Sequence, residues 1–357
     1  MQFIKLLKKI LLFLPVLVAL VGFNYFVDPA NLFRSERFGQ GLADILLKGR
    51  NAVILGNYEE RLLQKYYIDG LAERKDLVVL GSSRTLQINS DMFPGRSFFN
   101  NSVSGVSIED LMAVYWQYRK KDRLPAAVII GLDPWLLNKN QLTRYWAVKS
   151  DYDDCAAYLS VKSERRRVAN YFQDKYFELF SPSYFQLSFW YWLKGLQGKN
   201  EAGMHCLPTA DRIAKEMIKL SDGSINYGIN VRSITPSEVR RKALADPAAY
   251  SLEEFTQLDP GLKIKFERLV QLMLKDGVRV SFFLVPYHPL AYHILTTADK
   301  YKIILAAENY YLDLAAKQKI KTYGSYNPAV FSLSGEDFYD GMHAKGPALR
   351  KILKPGT

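Results

Sequence analysis

The sequence predicts an α/β protein built on a parallel sheet with helices on both faces. Short apolar runs that end at glycine or a turn recur along the chain, as in Asp76–Gly81 and Val278–Val285. Such runs are typical of buried parallel strands. Amphipathic segments such as Leu262–Lys275 alternate with them, and this alternation indicates strand–helix units packed into one sheet.

The other elements follow from the same patterns. They are a helix at Glu59–Tyr67, strands at Arg96–Asn101 and Ala126–Gly131, a helix starting at Ser107 with Asp110 in a capping-box position, a helix at Tyr301–Lys317, a strand at Ile320–Tyr323 and a helix at Pro347–Leu353. The predicted organisation is a tail and anchor at 1–28, a membrane-proximal connection at 29–75, core segments at 76–137 and 260–357, and a large, mostly helical insertion at 138–259.

Composition excludes several classes of protein. Apolar residues make up 48% of the 357 residues and charged residues 24%, which excludes wholesale disorder. The net charge of +12 comes from scattered basic residues that match no nucleic-acid-binding motif, so we expect no nucleic-acid partner. The positive charge is explained by a solvated surface, or by attraction to anionic lipid or acidic polysaccharide. No cofactor motif and no zinc-ligand spacing of histidines is present, so we expect neither cofactor nor metal.

The amino terminus predicts a membrane anchor. Lys5, Lys8 and Lys9 precede an uncharged apolar run at Ile10–Val27, about long enough to cross a ~30 Å hydrocarbon core as a helix. A cleaved signal peptide would need a small-residue cleavage site, which is absent; a buried core helix is the other alternative. The favoured topology is single-pass in the inner or cytoplasmic membrane, with everything after about Asp28 outside the cytoplasm.

Polar motifs follow the predicted strands, at the sheet edge where active groups of parallel sheets collect. They are Gly81-Ser82-Ser83-Arg84, Asn100–Gly105, Gly131-Leu132-Asp133, His288 and Asp340-Gly341-Met342-His343. A serine nucleophile needs a base, an acid that orients the base, and donors for the oxyanion. Each motif alone is common by chance, as a turn or a surface pair. Their combination at strand ends predicts a Ser83–His343–Asp340 triad.

This combination resembles the SGNH (GDSL-like) hydrolase superfamily over about residues 76–135 and 278–353. The resemblance implies an SGNH-like (flavodoxin-like) parallel sheet. The first block of that family matches Gly81-Ser82-Ser83, which implies Ser83 as the nucleophile. The second block matches Asn100–Gly105 and implies the Gly105 amide as an oxyanion donor. The last block, Asp-x-x-His, matches Asp340 and His343.

The third block departs from the family pattern. The family has Gly-x-Asn, whereas Asp133 stands here in place of the asparagine, and an ionised carboxylate cannot donate to an oxyanion. Either the hole has two donors or Asp133 binds substrate. Arg84 is expected to form an internal salt bridge or to grip an anionic sugar. Asn101 is a further oxyanion or substrate candidate, and His288 is either a packed histidine or a substrate contact.

The anchor and the first block resemble extracytoplasmic acyl-transfer members of the superfamily, namely alginate O-acetyltransferase-like proteins and the lipoteichoic acid D-alanyl transfer protein. The resemblance implies O-acetyl or similar acyl transfer to a cell-surface or exported polysaccharide, beside a multi-pass membrane acyltransferase partner. The alternatives are a carbohydrate esterase or deacetylase, and a catalytically weak accessory protein that binds the polysaccharide or the membrane partner.

The sequence does not decide between the alternatives for two features. The aromatic-rich segment Tyr171–Trp192 fits a packed helix face, a sugar-stacking wall, or a surface that rests on the membrane or a partner. Cys155 and Cys206 form a candidate disulfide in an oxidising compartment, if their geometry permits it.

Overall fold

The computed structural model describes residues 2–29, 33, 35–162, 176–196, 206–245 and 252–353, and the side chains of 2–12, 35 and 194–196 lie outside that description. The strands in chain order are β1 (Asn51–Ile54), β2 (Leu77–Leu80), β3 (Phe98–Asn100), β4 (Ala127–Leu132), β5 (Cys206–Thr209), β6 (Met217–Lys219), β7 (Ile225–Asn226), β8 (Arg279–Leu284) and β9 (Lys321–Gly324).

The α-helices run between and around these strands. They are α1 (Gln2–Val27), α2 (Ser35–Leu47), α3 (Glu60–Asp69), α4 (Ile108–Lys120), α5 (Lys149–Tyr158), α6 (Pro182–Leu196), α7 (Ile229–Arg232), α8 (Pro236–Ala245), α9 (Pro260–Lys275), α10 (Pro289–Thr297), α11 (Ile303–Gln318) and α12 (Gly346–Leu353).

A five-stranded parallel sheet forms the centre, in the order β3-β2-β4-β8-β9. Numbered among themselves, these strands run 2-1-3-4-5, the doubly wound order of flavodoxin. Alternate side chains of the sheet enter two cores, a large one shared with α4, α9 and α11 and a smaller one shared with α12. The predicted α/β class and parallel sheet are therefore confirmed, with helices on both faces.

Local signals fix where several elements begin and end. The Ser107–Asp110 capping box starts α4 as predicted, with Ser107 N–H donating to the Asp110 carboxylate at 2.8 Å. Asp259 caps α9 by accepting a hydrogen bond from Leu262 N–H at 2.9 Å. Gly277, at φ +78°, makes the turn from α9 into β8, a conformation that glycine adopts without strain.

A second sheet corrects the expected organisation. Strands β5, β1, β6 and β7 form an antiparallel sheet, so the insertion is not simply helical. The segment 29–75 is likewise more than a connection, because α2, β1 and α3 contribute buried side chains to the large core. These strands have two to four residues, and β5 contains Pro208 at the sheet edge, where proline is tolerated.

Helix α6 packs against α1. The Phe23 and Phe185 rings lie 5.4 Å apart, and Asn24 Nδ2 donates to Leu179 O at 2.9 Å. In the aromatic-rich segment Tyr171–Trp192, several other side chains face outward, including Phe177 at 72% exposure and Trp190 at 57%. Core packing therefore accounts for Tyr184, which is 5% exposed, but not for these outward-facing rings. Residues 171–175 lie outside the description. None of the helices in the described ranges combines the length with the apolar composition that a membrane-spanning segment requires.

The two cysteines do not pair. Cys155 on α5 and Cys206 on β5 are both free thiols. Burial raises the pKa of Cys155 to about 12 and that of Cys206 to about 11. Both are therefore held as thiols rather than reactive thiolates.

Candidate active site

Ser83, His343 and Asp340 form a continuous hydrogen-bonded chain. Ser83 Oγ lies 2.9 Å from His343 Nε2, and His343 Nδ1 lies 2.8 Å from Asp340 Oδ2. The His343 side chain is 21% exposed and that of Asp340 31% exposed, so a reactant can reach the imidazole. The three predicted triad residues are thus brought together, although Ser83 and His343 are 260 positions apart.

The Asp340 carboxylate is fixed on both sides. Its Oδ1 accepts hydrogen bonds from the backbone N–H groups of Met342 at 2.8 Å and His343 at 2.9 Å. Burial by itself raises the pKa of Asp340, but the hydrogen bond and charge of His343 and the two amides outweigh it and lower the pKa to about 2. An ionised Asp340 selects the tautomer that carries its proton on Nδ1, which leaves Nε2 free to accept a proton from Ser83.

The nucleophile candidate sits in a tight turn directly after β2. Ser83 opens a 3-10 turn at Ser83–Thr85, and Ser82 Oγ caps it by accepting from Arg84 N–H at 3.1 Å. Thr85 Oγ1 donates back to Ser82 O at 2.8 Å. These bonds give Ser83 a defined backbone position, and its N–H lies at the N-terminus of the 3-10 turn.

Two glycines make room for that turn. A Cβ on Gly81 would lie 2.5 Å from Thr85 Oγ1, and one on Gly131 would lie 2.6 Å from Thr85 Cγ2. Real Cβ atoms do not approach other atoms so closely, so a larger residue at either strand end would displace Thr85. The glycines of the first and third motifs are therefore explained by one packing requirement.

Arg84, the residue after Ser83, forms a buried ion pair with Asp133. Arg84 Nη1 lies 2.7 Å from Asp133 Oδ1, and both side chains have no exposed surface. Burial raises the pKa of Asp133, and the Arg84 guanidinium opposes that shift. Substrate binding by Asp133 and an anionic-sugar contact by Arg84 are both wrong as predictions, because neither side chain reaches the surface. The internal salt bridge, the other expectation for Arg84, is confirmed.

Arg84 also joins the loops that carry the triad. Its Nε donates to Met342 O at 3.0 Å, beside His343, while Nη2 donates to Val285 O at 2.5 Å and Pro286 O at 2.9 Å, at the end of β8. The guanidinium lies 4.0 Å from the centre of the Tyr287 ring. One side chain thus holds the Ser83 turn, the end of β8 and the histidine loop in register.

The loop after β3 provides a free amide at the expected position. The N–H groups of Ser102, Val103 and Ser104 are paired, with Asn100 Oδ1, Gly81 O and Glu60 Oε2 respectively. Gly105 follows at φ +60°, and no described residue accepts a hydrogen bond from its N–H or from that of Ser83. Neither amide is therefore used within the described fold, as an oxyanion donor requires.

Helix α3 supports this loop, which the sequence analysis did not anticipate. Glu60 Oε2 accepts from Ser104 N–H, and Arg61 Nη2 donates to Ser104 O at 3.3 Å. Arg61 is anchored in turn by Asp110, at 2.7 Å between Nε and Oδ1. The sequence alone shows the charged run Glu59-Glu60-Arg61. It does not show which residues form hydrogen bonds and ion pairs with that run.

Asn101 does not reach the site, so its prediction as an oxyanion or substrate residue is wrong. Its Nδ2 donates to Gln64 Oε1 at 2.7 Å, and its Oδ1 accepts from Tyr118 O–H at 2.7 Å. The side chain is buried and both polar atoms are used. The preceding Asn100 instead ties the two active-site loops together, with Nδ2 donating to Thr85 O and Ile88 O at 2.8 Å each.

His288 is structural, and the substrate contact is wrong. Its Nδ1 accepts from Leu290 N–H at 3.1 Å and caps α10. The backbone N–H of His288 donates to Gly341 O at 3.0 Å and so supports the loop that carries Asp340 and His343. Burial lowers the pKa of His288, which favours the neutral ring that this cap requires.

No known protein-family model matches this chain, and no curated protein matches its sequence significantly. Within the described residues, no group of three or more His, Cys, Asp or Glu side chains is arranged to hold a metal ion.

Proposed function

We propose that this chain is a membrane-anchored, SGNH-like serine acyltransferase that adds O-acetyl or similar acyl groups to a cell-surface or exported polysaccharide. The observation that carries the proposal is the Ser83–His343–Asp340 relay, with 2.9 Å and 2.8 Å between its members. The unpaired amides of Ser83 and Gly105 supply the oxyanion donors that such a relay needs. The parallel sheet and the position of Ser83 directly after β2 agree with the SGNH resemblance.

The reaction begins with attack of Ser83 Oγ on the donor's acyl carbonyl. His343 Nε2 takes the Ser83 proton, and Asp340 stabilises the resulting imidazolium. The tetrahedral oxyanion accepts hydrogen bonds from Ser83 N–H and Gly105 N–H. It collapses as the donor's leaving oxygen departs with the proton from His343, which leaves an ester on Ser83 Oγ.

The second half of the reaction transfers the acyl group. A sugar hydroxyl gives its proton to His343 and attacks the ester, and Ser83 Oγ leaves with that proton. The hole has two donors because Asp133 is bound to Arg84. Loss of one oxyanion donor typically costs about 10²–10³ in rate, so we expect a slow enzyme for simple soluble esters.

The membrane proposal rests on the apolar run Ile10–Val27 and on the surface that its described part presents. Exposed apolar side chains cover α1 and the α6 region, namely Phe13, Val16, Val18, Phe26, Phe177, Phe180, Trp190 and Trp192. Exposed aromatic and aliphatic side chains in such density favour a lipid interface. We propose a single-pass anchor, an extracytoplasmic domain and a multi-pass acyltransferase partner that passes the acyl group across the membrane.

The deciding experiment is labelling of the full chain, in detergent, with a serine-reactive fluorophosphonate, followed by intact mass and peptide mapping. We expect one adduct, on Ser83, that is absent in Ser83→Ala. In Ser82→Ala the adduct should still map to Ser83 but form more slowly, because the Oγ that caps the Ser83 turn is lost. An adduct that persists in Ser83→Ala, or no adduct in a well-folded wild-type protein, contradicts the proposal.

Transfer and hydrolysis are separated by incubating the wild-type protein with an acylated donor, with and without polymer acceptor. Acyl groups that appear on the polymer support transfer, whereas release to water alone supports the esterase alternative. Unchanged polymer modification in cells that carry Ser83→Ala and His343→Ala would favour the accessory binding role.

A further inference from the structure

The peptide bond between Ser104 and Gly105 carries the second oxyanion donor of the proposed function. In a planar trans peptide, the carbonyl oxygen and the N–H of the next residue point in opposite directions. Ser104 O and Gly105 N–H belong to one such peptide. A group that holds Ser104 O therefore also sets the direction in which Gly105 N–H points.

The local chain geometry permits two orientations of this peptide. Ser104 and Gly105 form a turn, and Gly105 has a φ of +60°. A positive φ at the glycine of a turn is typical of type II, whereas a type I turn has a negative φ there and its central peptide turned over. Glycine adopts both signs of φ at little cost. The turn by itself therefore does not fix the direction of Gly105 N–H.

Arg61 supplies a contact that fixes it. Arg61 Nη2 donates to Ser104 O at 3.3 Å, and the side chain is only 2% exposed. Two bonds to Asp110 hold the guanidinium, at 2.7 Å from Nε to Oδ1 and 2.9 Å from Nη2 to Oδ2. Asp110 is fixed in turn by the capping box of α4, where it accepts from Ser107 N–H at 2.8 Å. The guanidinium is therefore held in a defined position beside the loop.

The peptides on either side of the Ser104–Gly105 peptide are held as well. Glu60 Oε2 accepts a hydrogen bond from Ser104 N–H, which belongs to the preceding peptide. Gln141 Nε2 donates to Gly105 O, which belongs to the following peptide, at 3.4 Å. The middle peptide can still turn over between these two contacts. Such a turn would break the hydrogen bond from Arg61.

We propose that Arg61 is a positioning residue, which keeps the Ser104–Gly105 peptide turned so that Gly105 N–H is presented to the oxyanion. This role rests on the function proposed above. A peptide turned the other way would present Ser104 O to the developing negative charge and would repel it. The charge-assisted bond to Ser104 O also polarises the peptide, which makes Gly105 N–H a stronger donor.

The test uses a double variant of the full chain in detergent, Arg61→Met/Asp110→Asn. Arg61→Met alone would leave Asp110 as an unpaired buried carboxylate and would destabilise the fold. The double variant leaves no buried charge at these two positions. An asparagine oxygen can still accept from Ser107 N–H, so the start of α4 keeps its cap.

The first readout is the rate at which fluorophosphonate labels Ser83, measured by time-resolved mass spectrometry. We expect labelling to be about tenfold to a hundredfold slower in the double variant. The loss should be smaller than the factor of about 10²–10³ that follows removal of an oxyanion donor, because Gly105 N–H is still present but no longer held. The pH at which the rate is half-maximal should not change, since His343 and Asp340 are untouched.

The second readout is the phosphorus-31 NMR shift of the finished adduct. The P=O oxygen of a phosphonylated serine takes the position of the oxyanion, so its hydrogen bonds are those of the oxyanion donors. We expect the phosphorus signal of the Ser83 adduct to move in Arg61→Met/Asp110→Asn relative to the wild type. A residue that only stabilises the fold would leave that signal in place.

A second buried ion pair at the start of α4 provides the matched control. Lys265 Nζ lies 3.3 Å from Glu109 Oε1, and both side chains are buried. Lys265→Met/Glu109→Gln should label at the wild-type rate and keep the wild-type phosphorus signal. Glu60→Gln should also label at close to the wild-type rate, because its amide oxygen can accept from Ser104 N–H. Thermal unfolding of each variant checks that the fold is retained.

Failure of this proposal and failure of the proposed function give different results. A wild-type rate and phosphorus signal in Arg61→Met/Asp110→Asn overturns the role of Arg61, and so does equal slowing in the Lys265→Met/Glu109→Gln control. Both results include a labelled Ser83 and leave the serine enzyme standing. No adduct on Ser83 of a well-folded wild-type protein overturns the enzyme and the role of Arg61 together.

Discussion

Arg84 Nη1 lies 2.7 Å from Asp133 Oδ1, and neither side chain has exposed surface. The residue after Ser83 thus neutralises Asp133, the acid that stands where the family resemblance implies an oxyanion-donating asparagine. The same guanidinium binds Met342 O, Val285 O and Pro286 O. The departure at Asp133 is therefore part of the scaffold that aligns the triad loops, and Arg84 is a positioning residue.

Removal of the arginine charge should be costly. We expect Arg84→Met to lower the free energy of unfolding by about 3–5 kcal/mol, because Asp133 would be left as an unpaired buried carboxylate. Urea unfolding measures the loss. The double variant Arg84→Met/Asp133→Leu should recover part of it, since no buried charge remains. A single variant as stable as the wild type would contradict the buried pair.

Loss of the orienting acid should slow the chemistry far more than it harms the fold. Asp340→Asn is expected to reduce the rate of fluorophosphonate labelling at Ser83 by about 10³–10⁴, since the wrong histidine tautomer is then favoured. The rate is measured by time-resolved mass spectrometry. Asp337→Asn, three residues earlier at an exposed turn, is a matched control. Equal labelling rates in wild type and Asp340→Asn would remove Asp340 from the relay.

Acid should expose the contribution of Asp340 to stability. Its pKa is about 2 in the folded chain against an ordinary value of 3.8, so the unfolded state binds its proton first as pH falls. The stabilisation is therefore full above about pH 4 and is lost as pH approaches 2. Unfolding at several pH values should show the difference between wild type and Asp340→Asn shrinking over that range. A constant difference would contradict the lowered pKa.

The glycine before Ser82 should be intolerant of a methyl group. Gly81→Ala places a Cβ 2.5 Å from Thr85 Oγ1, so we expect a loss of about 1–3 kcal/mol and slower labelling of Ser83 as its turn shifts. Gly41→Ala on α2 meets no atom within 4 Å. That control should be neutral or stabilising by up to about 1 kcal/mol. Equal stability of both variants would show that the turn can relax.

Lys219 offers a stabilising substitution. The side chain is fully buried and Nζ has no hydrogen-bond partner among the described residues; burial lowers its pKa to about 8. Lys219→Met should raise the free energy of unfolding at pH 7 by about 1–3 kcal/mol, since no ammonium is then buried.

The gain from Lys219→Met should shrink between about pH 8 and 10.5, where the folded wild type sheds its proton before the unfolded chain does. Lys275→Met, at an exposed site, is the control and should show no such pH dependence. A destabilised Lys219→Met protein would show that Nζ has a favourable partner.

The central sheet and the triad could be predicted because their signals are local. Strands β2, β4 and β8 are continuous apolar runs, the capping box at Ser107 spans four residues, and Ser83 and His343 follow short motifs at strand ends. Parallel strands bring their carboxyl ends to one edge, so the order of elements was enough to propose that these residues meet.

The roles of the surrounding residues depended on partners far along the chain. Arg84 binds Asp133 at 49 positions and Val285 at 201, and β1 pairs with β5 and β6 in the insertion. The sequence offered two roles for Arg84, Asp133 and His288, and the burial of all three side chains selected the structural one. A polar side chain acts on a substrate only where folding leaves its atoms exposed or unpaired, and periodicity carries no information about that.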